Sequence, residues 1–198
     1  MPVIARDFYH RPALDVARDL LGCRLVRQQN GARLAGIILE TEAYQGEEDL
    51  GCHASAGKTP RTSVMYGPPG HAYIYFTYGM HWLLNAVTDR EEVPAAVLIR
   101  TIQPVEGADL MAENRPYQAF QRGWTDGPAK LTQALGINGD CNRMDLCDPA
   151  GGLWIELGEA VSAEVIEQTA RIGLNAVPEP WKSIPWRFGL REGVIRGS

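Results

Sequence analysis

The chain has 198 residues, 45% of them hydrophobic, which is apolar mass enough for one folded core without disulfides or metal. Its 19 basic and 24 acidic residues leave a formal net charge of -5, which excludes a polycation that coats nucleic acid by average charge. The four cysteines, Cys23, Cys52, Cys141 and Cys147, include no Cys-x-x-Cys, so neither a zinc ribbon nor a disulfide lattice is indicated.

No apolar run approaches the roughly 20 residues that span a bilayer. The opening MPVIARDFYH lacks the basic-then-apolar order of a secretory signal. One domain over residues 1–198, cytoplasmic and not membrane-bound, is therefore expected, associated with the nucleoid in a bacterium. Charge is unevenly spread: residues 1–39 carry six arginines against three aspartates, whereas residues 140–180 carry two basic groups against eight acidic ones.

Taken in chain order, residues 12–21 predict a helix. Pro12 suits a first helical position, Leu14, Ala17, Leu20 and Leu21 share a face, and Gly22 can end it. Residues 23–40 read as a hairpin turning at Asn30-Gly31. The loop from Gln45 to Gly70 is rich in Gly, Pro, Ser and Thr, and long loops of that kind tend to carry function. Ala72–Tyr78 and Pro94–Ile102 predict strands, Gly127–Gly136 a short helix, and LWIELG and Ala170–Leu174 late strands. The result is a mixed α and β protein.

Chemistry concentrates between Glu40 and Arg100. In ETEAY, strand alternation puts Glu40 and Glu42 on one face and Thr41 and Ala43 on the other. A carboxylate at the edge of a core can act as general base on water; the same pair also fits a strand end running into solvent. Tyr44, His53, Tyr66, Tyr73, Tyr75 and Tyr78 cluster although only 8% of the chain is aromatic. Tyr73 and Tyr75 share a strand face, with Tyr78 on the other. Flat side chains with polar tips suit a pocket that sandwiches a planar heterocycle, and equally an aromatic core with exposed hydroxyls. The four histidines show no spacing of paired metal ligands, and a lone His such as His53 is commonly a hydrogen-bonded structural residue. The zinc deaminase signature, the Gly-x-Ser-x-Gly elbow, the phosphate loop and the dinucleotide fingerprint are all absent.

The order of residues then becomes informative. ETEAYQGEEDLGCH, GKTPR, MYGPPGHAYIYFTYGMHWLLNAV, VLIRTIQPVEG, GPAKLTQALGI and NRMDL follow one another, with looser RIGL and WRFGLREG. This series resembles the alkyladenine (3-methyladenine) DNA glycosylase family of the mammalian type, from about Ala17 to Arg191. The resemblance implies one mixed α/β (α+β) domain on a curved antiparallel β-sheet with surrounding helices. It implies excision of alkylated or deaminated purines from double-stranded DNA by a monomer, with no cofactor, no metal and no lyase step.

Residue by residue, the resemblance makes Glu42 the general base for the attacking water. Arg100, with a backbone carbonyl near Ile172, would help to hold that water. Tyr44 and His53 match the pair flanking the extruded base, and Tyr75 the residue stacking on its other side. Asn85 matches the residue that crowds the amino group of a normal guanine, and Tyr73 lines the site or contacts phosphate. Tyr78, with Met80, matches the wedge that fills the gap left by the flipped nucleotide. Lys58 and Arg61 are candidates for the DNA backbone. Thr62 departs from the family's usual Asn, which puts a loop or phosphate contact in doubt, and Cys52 departs from a small apolar residue or serine, which also fits harmless packing. Two rival classes are a damage-binding module that does not cleave and a small-molecule nucleoside hydrolase. The intact Glu42 and Arg100 argue against the first, and the Tyr78-Gly79-Met80 turn against the second.

Overall fold

A computed structural model describes residues 1–191. Two short helices open it, α1 (Arg6–Tyr9) and α2 (Ala13–Asp19). Pro12 stands one residue ahead of α2, as its N-cap. Ala13, Val16, Ala17, Leu20 and Leu21 are the buried positions, a spacing of three and four residues, whereas Leu14 is only partly covered.

Strands β1 (Arg24–Gln29) and β2 (Ala32–Gln45) form the expected hairpin. Asn30 and Gly31 both take positive φ, 50° and 80°, as a two-residue turn matched to strand twist requires. A second hairpin joins β3 (Ala72–Thr77) to β4 (His81–Val87), a strand that the residue pattern did not disclose. After β5 (Ala95–Glu106) come α3 (Ala108–Glu113) and α4 (Pro128–Ala134). The short strands β6 (Leu153–Glu156), β7 (Ile166–Thr169) and β8 (Arg187–Leu190) follow.

All pairings are antiparallel, in the order β3-β4-β5-β2-β1-β6. Strand β8 takes up the edge of β2 at Glu40–Glu42, where β1 has ended, and pairs on its other side with β7. The mixed α and β architecture on an antiparallel sheet is as expected. The strand expected over Ala170–Leu174 is a correction: β7 stops at Thr169 and residues 170–174 leave the sheet as an irregular turn. In that turn the Arg171 side chain is turned inward, into a fully buried ion pair with Asp49.

The pleat divides the sheet into two environments. Ala43, Ile74, Leu84, Val97, Ile99 and Ile102 point into the main core beneath α2 and α4. Thr41, on that side, is also buried and donates to the Ala17 carbonyl at 2.7 Å, which ties β2 to α2. Their sequence neighbours line the opposite face, where a cavity opens. Among the described residues no helix is long and apolar enough to cross a membrane.

Candidate active site

Each strand of the β3-β4-β5-β2 half contributes alternate residues to a cavity of about 340 Å³. Tyr73, Tyr75 and Thr77 come from β3, Leu83 and Asn85 from β4, Ala96, Leu98 and Arg100 from β5, and Tyr44 from β2. The long loop after β2 covers one side with Gly51, Cys52, His53 and Met65. The 172–174 turn and Pro128, at the start of α4, complete the lining.

Two register shifts at the centre of the sheet aim the charged groups. Ile38 pairs with Ile102 and Glu40 with Thr101, leaving Leu39 as the extra residue on β2. Glu40 pairs with Thr101 and Thr41 with Ile99, leaving Arg100 as the extra residue on β5. A bulge breaks strict alternation, so Arg100 and Thr101 both reach Glu40. Arg100 Nε donates to Glu40 Oε1 at 3.0 Å and Thr101 Oγ1 to Oε2 at 2.8 Å. Arg187 Nη1, from β8, donates to the same Oε1 at 2.7 Å.

Glu42 is completely buried, behind the cavity wall. Three donors converge on it. Tyr44 Oη donates to Oε2 at 2.7 Å, the backbone amide of Ile172 donates to Oε1 at 2.7 Å, and Arg100 Nη1 lies 3.2 Å from Oε1. Glu40 and Glu42 therefore do share a face, as alternation predicts, with Arg100 between them. Ile172 meets Glu42 through its N–H, the partner that the sequence reading, with its carbonyl near Ile172, did not name. Burial lowers and the two carboxylates raise the proton affinity of Arg100, and the carboxylates prevail. Buried charge in this region is paired, Arg100 with Glu42 and Glu40, Arg171 with Asp49.

Tyr44, His53 and Tyr75 all line the cavity. His53 stands edge-on to Tyr75, with ring centroids 4.5 Å apart, and Tyr73 lies 5.4 Å from Tyr75. Among the described residues no ring contact joins Tyr44 to His53; the Tyr44 ring instead carries the Arg171 guanidinium 4.7 Å from its centroid. His53 Nδ1 shares a 2.9 Å hydrogen bond with Tyr73 Oη. Burial, helped by Arg61, lowers the His53 imidazole from 6.5 to about 4, so the ring is neutral at pH 7. Burial also raises the phenols of Tyr44 and Tyr75, and pushes the Cys52 thiol up to about 12. Asn85 spends one amide hydrogen on the Tyr73 carbonyl at 3.0 Å, which fixes its side chain across the β3-β4 pair.

Tyr78 and Met80 sit at the tip of the β3-β4 hairpin, 85% and 67% exposed. Tyr78 has φ 52°, so alternation ends at Thr77, and Tyr78 lines the same cavity as Tyr73 and Tyr75 instead of the opposite face. Lys58 is held by both oxygens of Glu92 at 2.8 Å. Arg61 lies 5.0 Å over the Tyr75 ring. Thr62 is buried and braces its own turn, donating to the Gly57 carbonyl and accepting from the Thr59 amide, both at 2.8 Å. Cys52 accepts from the Ala54 amide at 3.4 Å, a small cap on the turn that carries His53. Asp49, Arg171, Met65, Leu83 and Pro128 were not singled out in the sequence, where nothing links them to one another.

Comparison with known proteins identifies the family. Residues 7–193 match the family model described as methylpurine-DNA glycosylase (MPG). The chain belongs to that family of enzymes acting on DNA. A protein of Methanocella arvoryzae described as "Putative 3-methyladenine DNA glycosylase" is 49% identical over 188 residues, 95% of this chain and 92% of that protein. One of the same description from Carboxydothermus hydrogenoformans is 49% identical over 191 residues, covering 96% and 95%. Another from Myxococcus xanthus is 45% identical over 189 residues, covering 96% and 90%. These relatives support the family and not the qualifier "mammalian type".

Proposed function

We propose that this protein is a monofunctional DNA glycosylase that acts as a monomer on double-stranded DNA containing alkylated or deaminated purines. It flips the damaged nucleotide out and hydrolyses its N-glycosidic bond, leaving an abasic site. The observation that carries this reading is the position of Glu42: a buried carboxylate, met by Arg100 and the Ile172 amide, behind the wall of an aromatic cavity with an exposed hairpin tip at its mouth.

Extrusion of a base costs a few kcal/mol, less for a damaged one, and stacking on aromatic side chains returns roughly 1–3 kcal/mol per base. Tyr44, His53 and Tyr75 supply those faces. A purine alkylated on a ring nitrogen is cationic, so it is attracted to tyrosine faces and is already a good leaving group, whereas a neutral deaminated purine must take up a proton on its ring to leave. A neutral His53 adds no like charge against it. Glu42 takes a proton from the attacking water and steadies the oxocarbenium-like sugar, while Arg100 and the backbone about Ile172 orient that water. Asn85 crowds the edge where a normal guanine carries its amino group, and Tyr73 holds His53. Tyr78 and Met80 fill the vacated stack, and Arg61 and Lys58 approach phosphates; Lys58 must first leave Glu92.

The test is a duplex with one lesion, compared with the same lesion as a free nucleoside. The expected outcome is free base from the duplex only, with a product strand that stays intact until treated with alkali. Equal hydrolysis of the free nucleoside would contradict the reading and favour a small-molecule hydrolase. Immediate strand cleavage would contradict the absence of a lyase step.

A further inference from the structure

We propose that Asp49 and Arg171 form a clamp that positions the Tyr44 ring and the Ile172 amide on Glu42, a role that rests on the glycosylase reading above. Both side chains are completely buried, and the pair is bidentate: Arg171 Nη1 donates to Asp49 Oδ2 at 2.5 Å and Nη2 to Oδ1 at 2.7 Å. Both groups also bond the backbone, while the buried Arg171 Nε has no hydrogen-bond partner among the described residues. Arg171 Nη1 also donates to the Ala43 carbonyl at 3.1 Å, and Nη2 to the Trp181 carbonyl at 3.3 Å. Asp49 accepts from the amides of Gly51 at 2.9 Å and Gln45 at 3.3 Å.

The pair thus fastens three separate parts of the cavity wall. It grips β2 at Ala43, between Glu42 and Tyr44, and covers the Tyr44 ring. It closes the Gln45–Gly51 loop, which leads into Cys52 and His53. It also anchors the turn whose next residue, Ile172, donates to Glu42. Gly51 shows how tightly these parts meet, since a Cβ there would lie 2.8 Å from Arg171 Nη2 and 2.7 Å from Leu174 Cδ1. A buried ion pair is weak evidence for stability alone, because desolvation offsets its attraction. A rigid planar fork that satisfies carboxylate and carbonyls together does fix geometry.

Arg171→Lys keeps the charge and loses the fork; Asp49→Asn keeps the shape and loses the charge. Hydrogen exchange at the Ile172 amide, followed by NMR in the folded protein, reads the clamp without DNA. In both variants Ile172 is expected to exchange about 10-fold or more faster while the core amides of β2 and β5 stay protected. Single-turnover base release at saturating enzyme, normalised to folded protein, is expected to fall about 10- to 100-fold, since small misplacements are costly, with duplex affinity little changed. A folded variant with unchanged Ile172 exchange and wild-type release overturns the clamp. Wild-type protein that releases no base, with Ile172 exchange still raised in the variants, overturns the glycosylase reading and leaves the clamp standing. Should either variant not fold, Asp49→Glu, which keeps charge and fork with a longer arm, is held to the same two measurements.

Discussion

At the scale of single residues, the site depends on groups whose state is set by what surrounds them. His53 has a folded-state value of about 4 against 6.5 when exposed, chiefly because it is buried. The unfolded chain binds the extra proton between those values, so this contribution to stability is intact above about pH 6.5 and is lost as pH falls toward 4. NMR titration of the His53 ring should give a midpoint near 4, and His53→Gln should flatten the stability profile in that window; a midpoint near 6.5 would show the ring to be solvated. Cys52 is the contrary case. Its thiol is pushed up to about 12 by burial, and modification by a neutral alkylating reagent is expected to be slow in the native protein and fast after unfolding.

At the scale of elements, the β3-β4 hairpin carries the proposed wedge. Tyr78→Ala removes an 85% exposed ring from a tip already held by pairing from Thr77 to His81. Thermal stability should therefore change little, while base release from duplex DNA slows and release from a lesion in single-stranded DNA is less affected. Equal loss on both substrates would sink the wedge assignment. The first strand of the β3-β4 hairpin was legible in advance, because period-two alternation places Tyr73 and Tyr75 together, as was the β1-β2 hairpin through Asn30-Gly31, whereas β4 was not. Alternation failed where the backbone leaves the strand: Tyr78 has positive φ and turns onto the cavity side. The bulges at Leu39 and Arg100 were not legible, because register is decided by the partner strand, and a one-residue shift there determines what Arg100 reaches. Arg171 and Asp49 stand 122 residues apart, and no local pattern joins them.

At the scale of the whole molecule, the net charge of -5 leads us to expect DNA affinity to rest on a local rim and not on bulk attraction. Affinity for undamaged duplex should be weak, and its logarithm should fall linearly with the logarithm of salt concentration, by about 0.9 per phosphate neutralised. Arg61→Ala should reduce that slope by about one, whereas Lys58→Ala should change it less, because Lys58 is already bound to Glu92. An unchanged slope in Arg61→Ala would place the phosphate contacts elsewhere. Selectivity is then expected of the cavity, and hydrolysis of its buried carboxylate. The most direct measurement is the single-turnover rate of base release by wild type and Glu42→Gln, on one lesion-bearing duplex and at saturating enzyme. The expected result is free base with the wild type, and with the variant an unchanged duplex affinity and a rate about 10²- to 10⁴-fold lower. Release by a folded Glu42→Gln variant at the wild-type rate would contradict it.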